Sequence, residues 1–204
     1  MNAPNLNLFV VDDDEAVRRS LSALLIARGY PVQAFASGEA FLSTADLQRG
    51  GCVVLDRNMA GMSGLDVFER MREVKSPLVV LFLSSHGNIP IATGAVKDGA
   101  AGWLEKPCTP ERLLEEVTQA LGRSAAIDAR QRARAGALGL WGKLTPREKE
   151  VARLVADGKS SKEVARELSP VTDPRTVDTH RGQVVAKLGI NSTRWNGFLR
   201  DHDL

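Results

Sequence analysis

The stretch that decides the fold is "CVVLDRNMAGMSG", residues 52–64. Four apolar residues, Cys52 to Leu55, are followed at once by the carboxylate of Asp56. A continuous apolar run of this kind is typical of a parallel strand that is covered on both faces. Ligands of open parallel sheets bind in the crevice outside the carboxyl ends of the strands. Asp56 is therefore a candidate reactive group.

Strand and helix signals alternate along the rest of residues 1–121. Short apolar runs predict strands at 8–11, 53–55 and 78–83, with weaker signals at 30–35 and 101–104. Between them the spacing of Val17, Leu21 and Leu25 is that of one helix face, and Thr109–Pro110 is a typical helix start. Five strands alternating with five helices predict an α/β domain with a doubly wound parallel sheet.

Composition limits the class of protein. The chain has 204 residues, of which 43% are hydrophobic and 25% charged, as in ordinary globular domains. No apolar run approaches the ~20 residues of a membrane span, and no signal peptide is visible. Two cysteines make no disulfide framework, and the histidines have no metal-ligand spacing. We therefore expect a cytoplasmic protein with no membrane partner.

The charge is divided unevenly along the chain. Residues 1–121 hold 11 Lys or Arg against 15 Asp or Glu, whereas residues 143–204 hold 12 against 9. Residues 122–142 add 4 against 1. An acidic first part and a mildly basic second part predict two modules with different partners.

Polar side chains end four of the predicted strands. They are Asp12 and Asp13 after the first strand, Asp56 after the third, Ser84 after the fourth and Lys106 after the fifth. Three neighbouring carboxylates repel one another unless a cation joins them, and Mg²⁺ is the natural oxygen-bound ion. Ser84 and Lys106 would stabilise phosphoryl oxygens. The pattern predicts phosphoryl transfer onto a carboxylate, with Asp56 as the nucleophile.

The segments "VVDDDEAVRRSL", "VVLDRNMAGMSG" and "EKP" resemble the receiver domain of two-component response regulators. The resemblance implies the flavodoxin-like strand order 2-1-3-4-5 and a cis peptide before Pro107. It also implies site roles: Asp56 is the phosphoacceptor, and Mg²⁺ is held by Asp12, Asp13, Asp56 and the backbone carbonyl of Asn58. Ser84 and Lys106 sense the phosphoryl group, with Trp103 in the place of the switch aromatic.

Three residues depart from the pattern of that family without removing a chemical group. Ala60 replaces the usual Pro, Cys108 stands where Phe is common, and Trp103 is bulkier than the usual Tyr or Phe. Trp103 as an ordinary core residue is the alternative to a switch.

Residues 122–143 change character and are predicted to be a linker. Their Ala/Arg-rich half favours an extension of the preceding helix, and their Gly-rich half is expected to break it. After the linker, capping signals at Thr145, Ser160 and Asp173 predict three helices over residues 144–204. Short helices joined by tight turns are typical of a helix-turn-helix domain.

The segments "LTPREKEVARLVADGKSSKEVAREL" and "PRTVDTHRGQVVAKLGI" resemble the LuxR-type helix-turn-helix of transcriptional regulators. A receiver joined to this module is the arrangement of FixJ/NarL-like response regulators. The resemblance implies a transcription regulator that is phosphorylated by a sensor histidine kinase and that forms a homodimer through residues 89–121. RNA polymerase is a further candidate partner, and no enzymatic role is expected.

The helix from Pro174 to about Leu188 is the expected reader of the DNA major groove. Arg175 and Thr176 in its first turn are candidate phosphate anchors. With Val177 buried, the residues expected to face the base edges are Asp178, Thr179 and Gly182. Further candidate phosphate contacts are Arg181, Lys187, Lys159 and Lys162.

Two features of this module depart from its family. The turn "SPVTDP" before Arg175 is two residues longer than usual, and Gly182 lies inside the helix, where it costs ~1 kcal/mol relative to Ala. Two other function classes stay open on the sequence. One is a phosphorylation-independent DNA binder whose receiver is a dimerisation scaffold, and the other is a flavodoxin-like or aspartate-nucleophile phosphatase domain.

Overall fold

The computed structural model describes residues 7–85 and 89–204; His86, one of the scattered histidines, lies outside them. In chain order the strands are β1 (Asn7–Val11), β2 (Val32–Phe35), β3 (Gly51–Asp56), β4 (Leu78–Ser84) and β5 (Gly102–Glu105). The helices are α1 (Glu15–Ala27), α2 (Gly38–Thr44), α3 (Gly64–Glu73), α4 (Ile89–Lys97), α5 (Pro110–Gly142), α6 (Pro146–Ala156), α7 (Ser161–Glu167), α8 (Pro174–Leu188) and α9 (Trp195–His202).

The five strands form one parallel sheet in the order β2-β1-β3-β4-β5, which confirms the predicted fold. Alternate side chains of each strand enter two different cores, as expected for strands covered on both faces. Phe9 and Val53 pack on the side of α2 and α3, and Leu8 and Val54 pack on the side of α1 and α5.

Local capping sets the ends of the helices that surround the candidate site. Asp14 is the N-cap of α1, where its carboxylate accepts from Ala16 N at 2.8 Å and Val17 N at 3.2 Å. Asp12 and Asp13 are thus left for other contacts. After β3, Gly64 lets α3 begin against the backbone of Asp56, since a Cβ at residue 64 would lie 2.3 Å from the Asp56 carbonyl oxygen. The Lys106–Pro107 peptide is cis, as the resemblance implies.

The chain divides into two units, Met1–Arg130 and Gln131–Leu204. In the second unit, the capping boxes predicted at Thr145 and Ser160 are present, and Asp173 caps α8. The unit has two small cores. One is built around Trp141, Val184 and Trp195, and the other around Val151 and Val177.

The expectation that the Gly-rich half of residues 122–143 breaks the helix is wrong. Helix α5 continues without interruption to Gly142. Three glycines between residues 136 and 142 each cost about 1 kcal/mol relative to Ala. Ala137 and Trp141 are buried in the core of the second unit, however, and their packing outweighs this low propensity.

The part of α5 just beyond residue 121 is anchored inside the first unit. The side chain of Ser124 is fully buried; its hydroxyl accepts from Gly51 N at 2.7 Å and donates to the Pro77 carbonyl at 2.6 Å. Asp128, one turn later, is also buried and lies against Gly50. Residues 122–130 thus pack against the amino ends of β3 and β4.

Candidate functional site

A pocket of charged side chains lies at the carboxyl edge of the sheet. Asp12 follows β1, Asp56 is the last residue of β3, and Lys106 follows β5. Parallel strands end at the same edge, so these three side chains meet. Asp12 and Asp56 are only 2% and 5% exposed.

The ammonium of Lys106 joins the two buried carboxylates. Its Nζ donates to Asp12 Oδ2 at 2.6 Å and to Asp56 Oδ1 at 2.7 Å. The pKa of Asp56 is raised, because burial and the neighbouring Asp12 carboxylate disfavour its anion, while the hydrogen bond and charge of Lys106 offset only part of this effect. Burial also opposes the charge on Lys106, but its hydrogen bonds to Asp12 and Asp56 outweigh that effect and raise its pKa. The pocket therefore holds a cationic side chain in contact with two buried carboxylates.

Asp13 and Asn58, the other proposed metal ligands, are exposed. Asp13 Oδ2 accepts from the Ala60 backbone N–H at 2.9 Å, and the Asn58 side chain accepts from Arg57 Nε at 3.0 Å. Within residues 7–85 and 89–204, no group of three His, Cys, Asp or Glu side chains is placed to hold a metal ion. The structure brings Asp12 and Asp56 together but directs Asp13 to the loop after β3.

Ser84 and Trp103 occupy the neighbouring strands β4 and β5. Ser84 is 1% exposed at the carboxyl end of β4. The ring of Trp103 packs against Phe82 with centroids 5.1 Å apart, and the Arg57 guanidinium lies 5.9 Å from the Trp103 ring centre. In the described part of the chain, the buried Trp103 Nε1 has no hydrogen-bond partner. Trp103 is therefore held between the core and the residue that follows Asp56.

Glu39 is a site residue that sequence reasoning missed. From α2 its Oε1 accepts from Met62 N at 3.0 Å, and so it braces the loop between Asp56 and α3. Hydrogen bonds from its own backbone N–H, from Met62 N–H and from the Ser37 hydroxyl lower the pKa of Glu39. A carboxylate in the first turn of a short helix is expected at any helix start, so the sequence carries no signal for this contact.

The first turn of α8 presents its predicted DNA contacts to solvent. Arg175 and Thr176 are exposed, and the Asp173 carboxylate accepts from Arg175 N at 2.7 Å. Gly182 is exposed as well, and a Cβ at this position would meet no atom of the described residues within 4 Å. Nothing inside the domain therefore requires glycine there.

Other predicted DNA contacts on α8 are bound within their own domain. Ser161 Oγ donates to Asp178 at 2.6 Å and accepts from Arg181 at 2.9 Å, and the Arg181 guanidinium also donates to Ser192 Oγ at 3.2 Å. The Thr179 hydroxyl donates to the Arg175 carbonyl at 3.0 Å.

The predicted lysine contacts differ in their surroundings. Lys187 Nζ donates to both carboxylate oxygens of the buried Glu148, at 2.8 and 2.7 Å. Burial opposes ionisation of Glu148, but the hydrogen bonds from Lys187 and Thr145 outweigh it and lower the Glu148 pKa. Lys159 pairs with Glu167, whereas Lys162 is exposed.

The long turn before α8 is fixed from two sides. The Arg147 guanidinium donates to the carbonyls of Ser169 at 3.3 Å and Pro170 at 2.9 Å, and Thr172 N donates to the Ala165 carbonyl at 3.1 Å. The two extra residues thus form an ordered turn. At its tip the side chain of Val171 is 72% exposed.

Comparison with known families matches both units. The response regulator receiver domain matches residues 8–118, and the LuxR family of bacterial regulatory proteins matches residues 142–194. Among the described residues, no helix is long and apolar enough to cross a membrane.

Relatives of known identity match along most of the chain. The transcriptional regulatory protein FixJ of Bradyrhizobium diazoefficiens is 36% identical over 187 residues, which cover 91% of this chain and 90% of the relative. The tetrathionate response regulatory protein TtrR of Salmonella typhimurium is 35% identical over 185 residues, covering 91% of this chain and 87% of the relative. The solved structure of the response regulator StyR is 32% identical with a TM-score of 0.82, covering 97% of this chain and 98% of that one.

Proposed function

Since the chain belongs to the FixJ/NarL class of two-component response regulators, which regulate transcription, we propose that phosphorylation of Asp56 by a sensor histidine kinase controls its binding to DNA. The observation that carries the proposal is the pair of buried carboxylates joined by Lys106. This family consists of DNA-binding regulators, not of enzymes, and we assign no enzymatic role.

Phosphorylation requires a nucleophile and a charge that stabilises the transferred group. A carboxylate oxygen of Asp56 attacks phosphorus, the bond from phosphorus to the histidine nitrogen of the kinase breaks, and an acyl phosphate forms on Asp56. Lys106, already 2.7 Å from Asp56, supplies a fixed positive charge beside the phosphoryl oxygens. Ser84, buried at the end of the adjacent strand, is the proposed hydroxyl partner of the phosphoryl group.

Mg²⁺ fits this pocket by the chemistry of its donors. Asp12, Asp13, Asp56 and the Asn58 carbonyl offer only oxygen ligands, which suit a hard cation. When bound, Mg²⁺ would neutralise negative charge on the phosphoryl oxygens. These residues are the proposed ligands.

The DNA-binding role rests on α8. We assign phosphoryl chemistry to residues 1–121 and DNA binding to residues 144–204, with 122–143 as the connection. Exposed Arg175 and Thr176 are the proposed phosphate anchors at the start of the helix. Asp178, Thr179 and Gly182 are proposed to face the base edges, although the Asp178 bond to Ser161 has to open or rotate for direct readout.

The remaining basic contacts are ranked by their present partners. Lys162, which is exposed, is the nearest candidate for phosphate contact. Lys187 and Lys159 must first leave Glu148 and Glu167, and Arg181 must leave the hydroxyls of Ser161 and Ser192. A homodimer would present two such helices to DNA half-sites about one helical turn apart. RNA polymerase as a further partner and a cytoplasmic location complete the proposal.

The first test is intact mass after incubation with Mg²⁺ and acetyl phosphate. Wild type and the control Asp46→Asn, a substitution at an exposed acid, should each gain one phosphoryl group, whereas Asp56→Asn should gain none. If wild type stays unlabelled while a control receiver is labelled, phosphorylation control is rejected and the phosphorylation-independent DNA binder takes its place.

The second test addresses DNA binding. Wild type, Arg175→Ala and the exposed control Arg200→Ala are applied to a randomised duplex library, and the affinity for the selected sequence is measured against salt. Loss of one phosphate contact should weaken binding for Arg175→Ala and reduce its salt slope by about 1. An Arg175→Ala protein with unchanged affinity and slope would remove this residue from the interface.

A further inference from the structure

The loop between Asp56 and α3 is held in place by contacts that do not involve Asp13. Glu39 accepts from Met62 N at 3.0 Å, and Gly64 N donates to the Arg57 carbonyl at 2.9 Å. A reciprocal capping box between Ser63 and Asp66 then starts α3. The position of the Ala60 N–H is therefore set by the fold of the loop.

This fixed N–H is directed at a proposed metal ligand. It donates to Asp13 Oδ2 at 2.9 Å, while Asp12 and Asp56 share the ammonium of Lys106. Among the described residues these acids do not form a three-carboxylate cluster. Asp13 differs from the other two carboxylates in being exposed and bound to the loop.

The donor exists because residue 60 is alanine. The receiver family usually has proline at this position, and proline has no backbone N–H. A chain with proline here has no such bond, so its matching carboxylate meets no competing donor from this residue. The alanine therefore adds an interaction without changing any of the proposed ligands.

We propose that the Ala60 N–H holds Asp13 at the loop and competes with the divalent cation for this carboxylate, so that the protein binds Mg²⁺ more weakly than the same pocket with proline at position 60. This inference rests on the proposed function, because it takes Asp13 as a ligand. Hydrogen bonds to charged groups are stronger than neutral ones, but Asp13 is exposed and water replaces part of the loss. We expect a difference in dissociation constant of about fivefold to tenfold.

The test compares variants that remove the N–H with variants that keep it. Ala60→Pro removes the N–H, and replacing Ala60 by lactic acid, which makes an ester bond, removes it without adding a ring. Ala60→Ser and Ala60→Gly keep it and are the matched controls. Dissociation constants for Mg²⁺ and Mn²⁺ are measured on the full chain by calorimetry, with thermal unfolding recorded for each variant.

A double-mutant cycle with Asp13→Ala separates this effect from a general change in the loop. If the inference holds, both N–H-deficient variants bind Mg²⁺ about fivefold to tenfold more tightly than wild type, both controls match wild type, and the gain disappears in the Asp13→Ala background. A wild type without measurable binding, together with an N–H-deficient variant that binds, supports the inference in a stronger form.

Three results would overturn it. N–H-deficient variants that bind Mg²⁺ as wild type does, or more weakly, reject the competition and leave the proposed function standing. A gain that persists with Asp13→Ala assigns the effect to the loop. Absence of binding in every variant rejects both the inference and the proposed metal site. If Ala60→Pro does not fold, the ester variant decides.

Discussion

Ser124 offers the sharpest test of how the first unit is built. Its hydroxyl is fully buried and serves both the Gly51 N–H and the Pro77 carbonyl, at 2.7 and 2.6 Å. Ser124→Ala removes both bonds while leaving a side chain of nearly the same volume. The substitution therefore isolates the polar contribution of one buried residue of α5.

The expected cost follows from the two backbone groups left behind. A buried donor or acceptor that loses its partner costs about 1–3 kcal/mol, so two such groups set a range of about 2–6 kcal/mol. Alanine recovers up to about 0.5 kcal/mol through its higher helix propensity. Since water and small shifts relieve part of the penalty, we expect Ser124→Ala to lower the free energy of unfolding of the first unit by about 2–4 kcal/mol.

Hydrogen exchange with mass spectrometry on the full chain measures this unit separately from the second one. Amides of β3 and β4 should exchange faster in Ser124→Ala, while amides of α6 and α8 should keep their wild-type rates. Ser20→Ala, at an exposed helical position, is the control and should destabilise neither unit. A loss below about 0.5 kcal/mol in β3 and β4 would refute the claim that Ser124 anchors α5 to these strands.

Three further predictions concern the second unit. Gly182→Ala should raise its stability by about 1 kcal/mol in thermal unfolding, because the added Cβ meets no atom of the described chain within 4 Å; an unchanged midpoint would contradict this. The pKa of Glu148 is lowered in the folded state, so its ion pair with Lys187 stabilises the unit above pH ~4.5 and is lost as the pH falls through the lowered pKa. Glu148→Gln should therefore reduce the dependence of the urea unfolding midpoint on pH between pH 3 and 7; a variant whose midpoints run parallel to those of wild type would count against the ion pair. Arg147→Ala should weaken DNA binding severalfold while costing less than about 1 kcal/mol of stability, since this half-buried side chain fixes the turn before α8. If the variant and wild type have equal affinity in a DNA titration, the conformation of this turn does not affect DNA binding.

Much of the fold could be predicted from the sequence, because its signals are local. Apolar runs of five residues or so mark buried strands, and Thr145 and Ser160 mark helix starts through reciprocal capping. The end of α5 could not be predicted in this way. The glycines between residues 136 and 142 disfavour helix locally, and only the burial of Trp141 in the second unit reverses that preference.

The candidate pocket shows the same division between local and distant information. The positions of Asp12, Asp56 and Lys106 follow from strand order, since each lies at or just after the carboxyl end of a parallel strand. The bond from the Ala60 N–H to Asp13 could not be predicted, because it uses a backbone donor whose direction depends on the path of the loop. The brace from Glu39 was missed for a related reason, as its partner lies 23 residues away.

The anchoring of α5 has a practical consequence for exchanging modules between regulators. A chimera that keeps this receiver and takes its DNA-binding domain from a relative needs a junction somewhere in α5. A cut after residue 121 would discard Ser124 and Asp128 and expose the amino ends of two central strands. Such a fusion would lose receiver stability, and the fault would be wrongly ascribed to the transplanted domain. A junction after Arg130 keeps Ser124 and Asp128 in the receiver and takes the whole of the second unit from the relative.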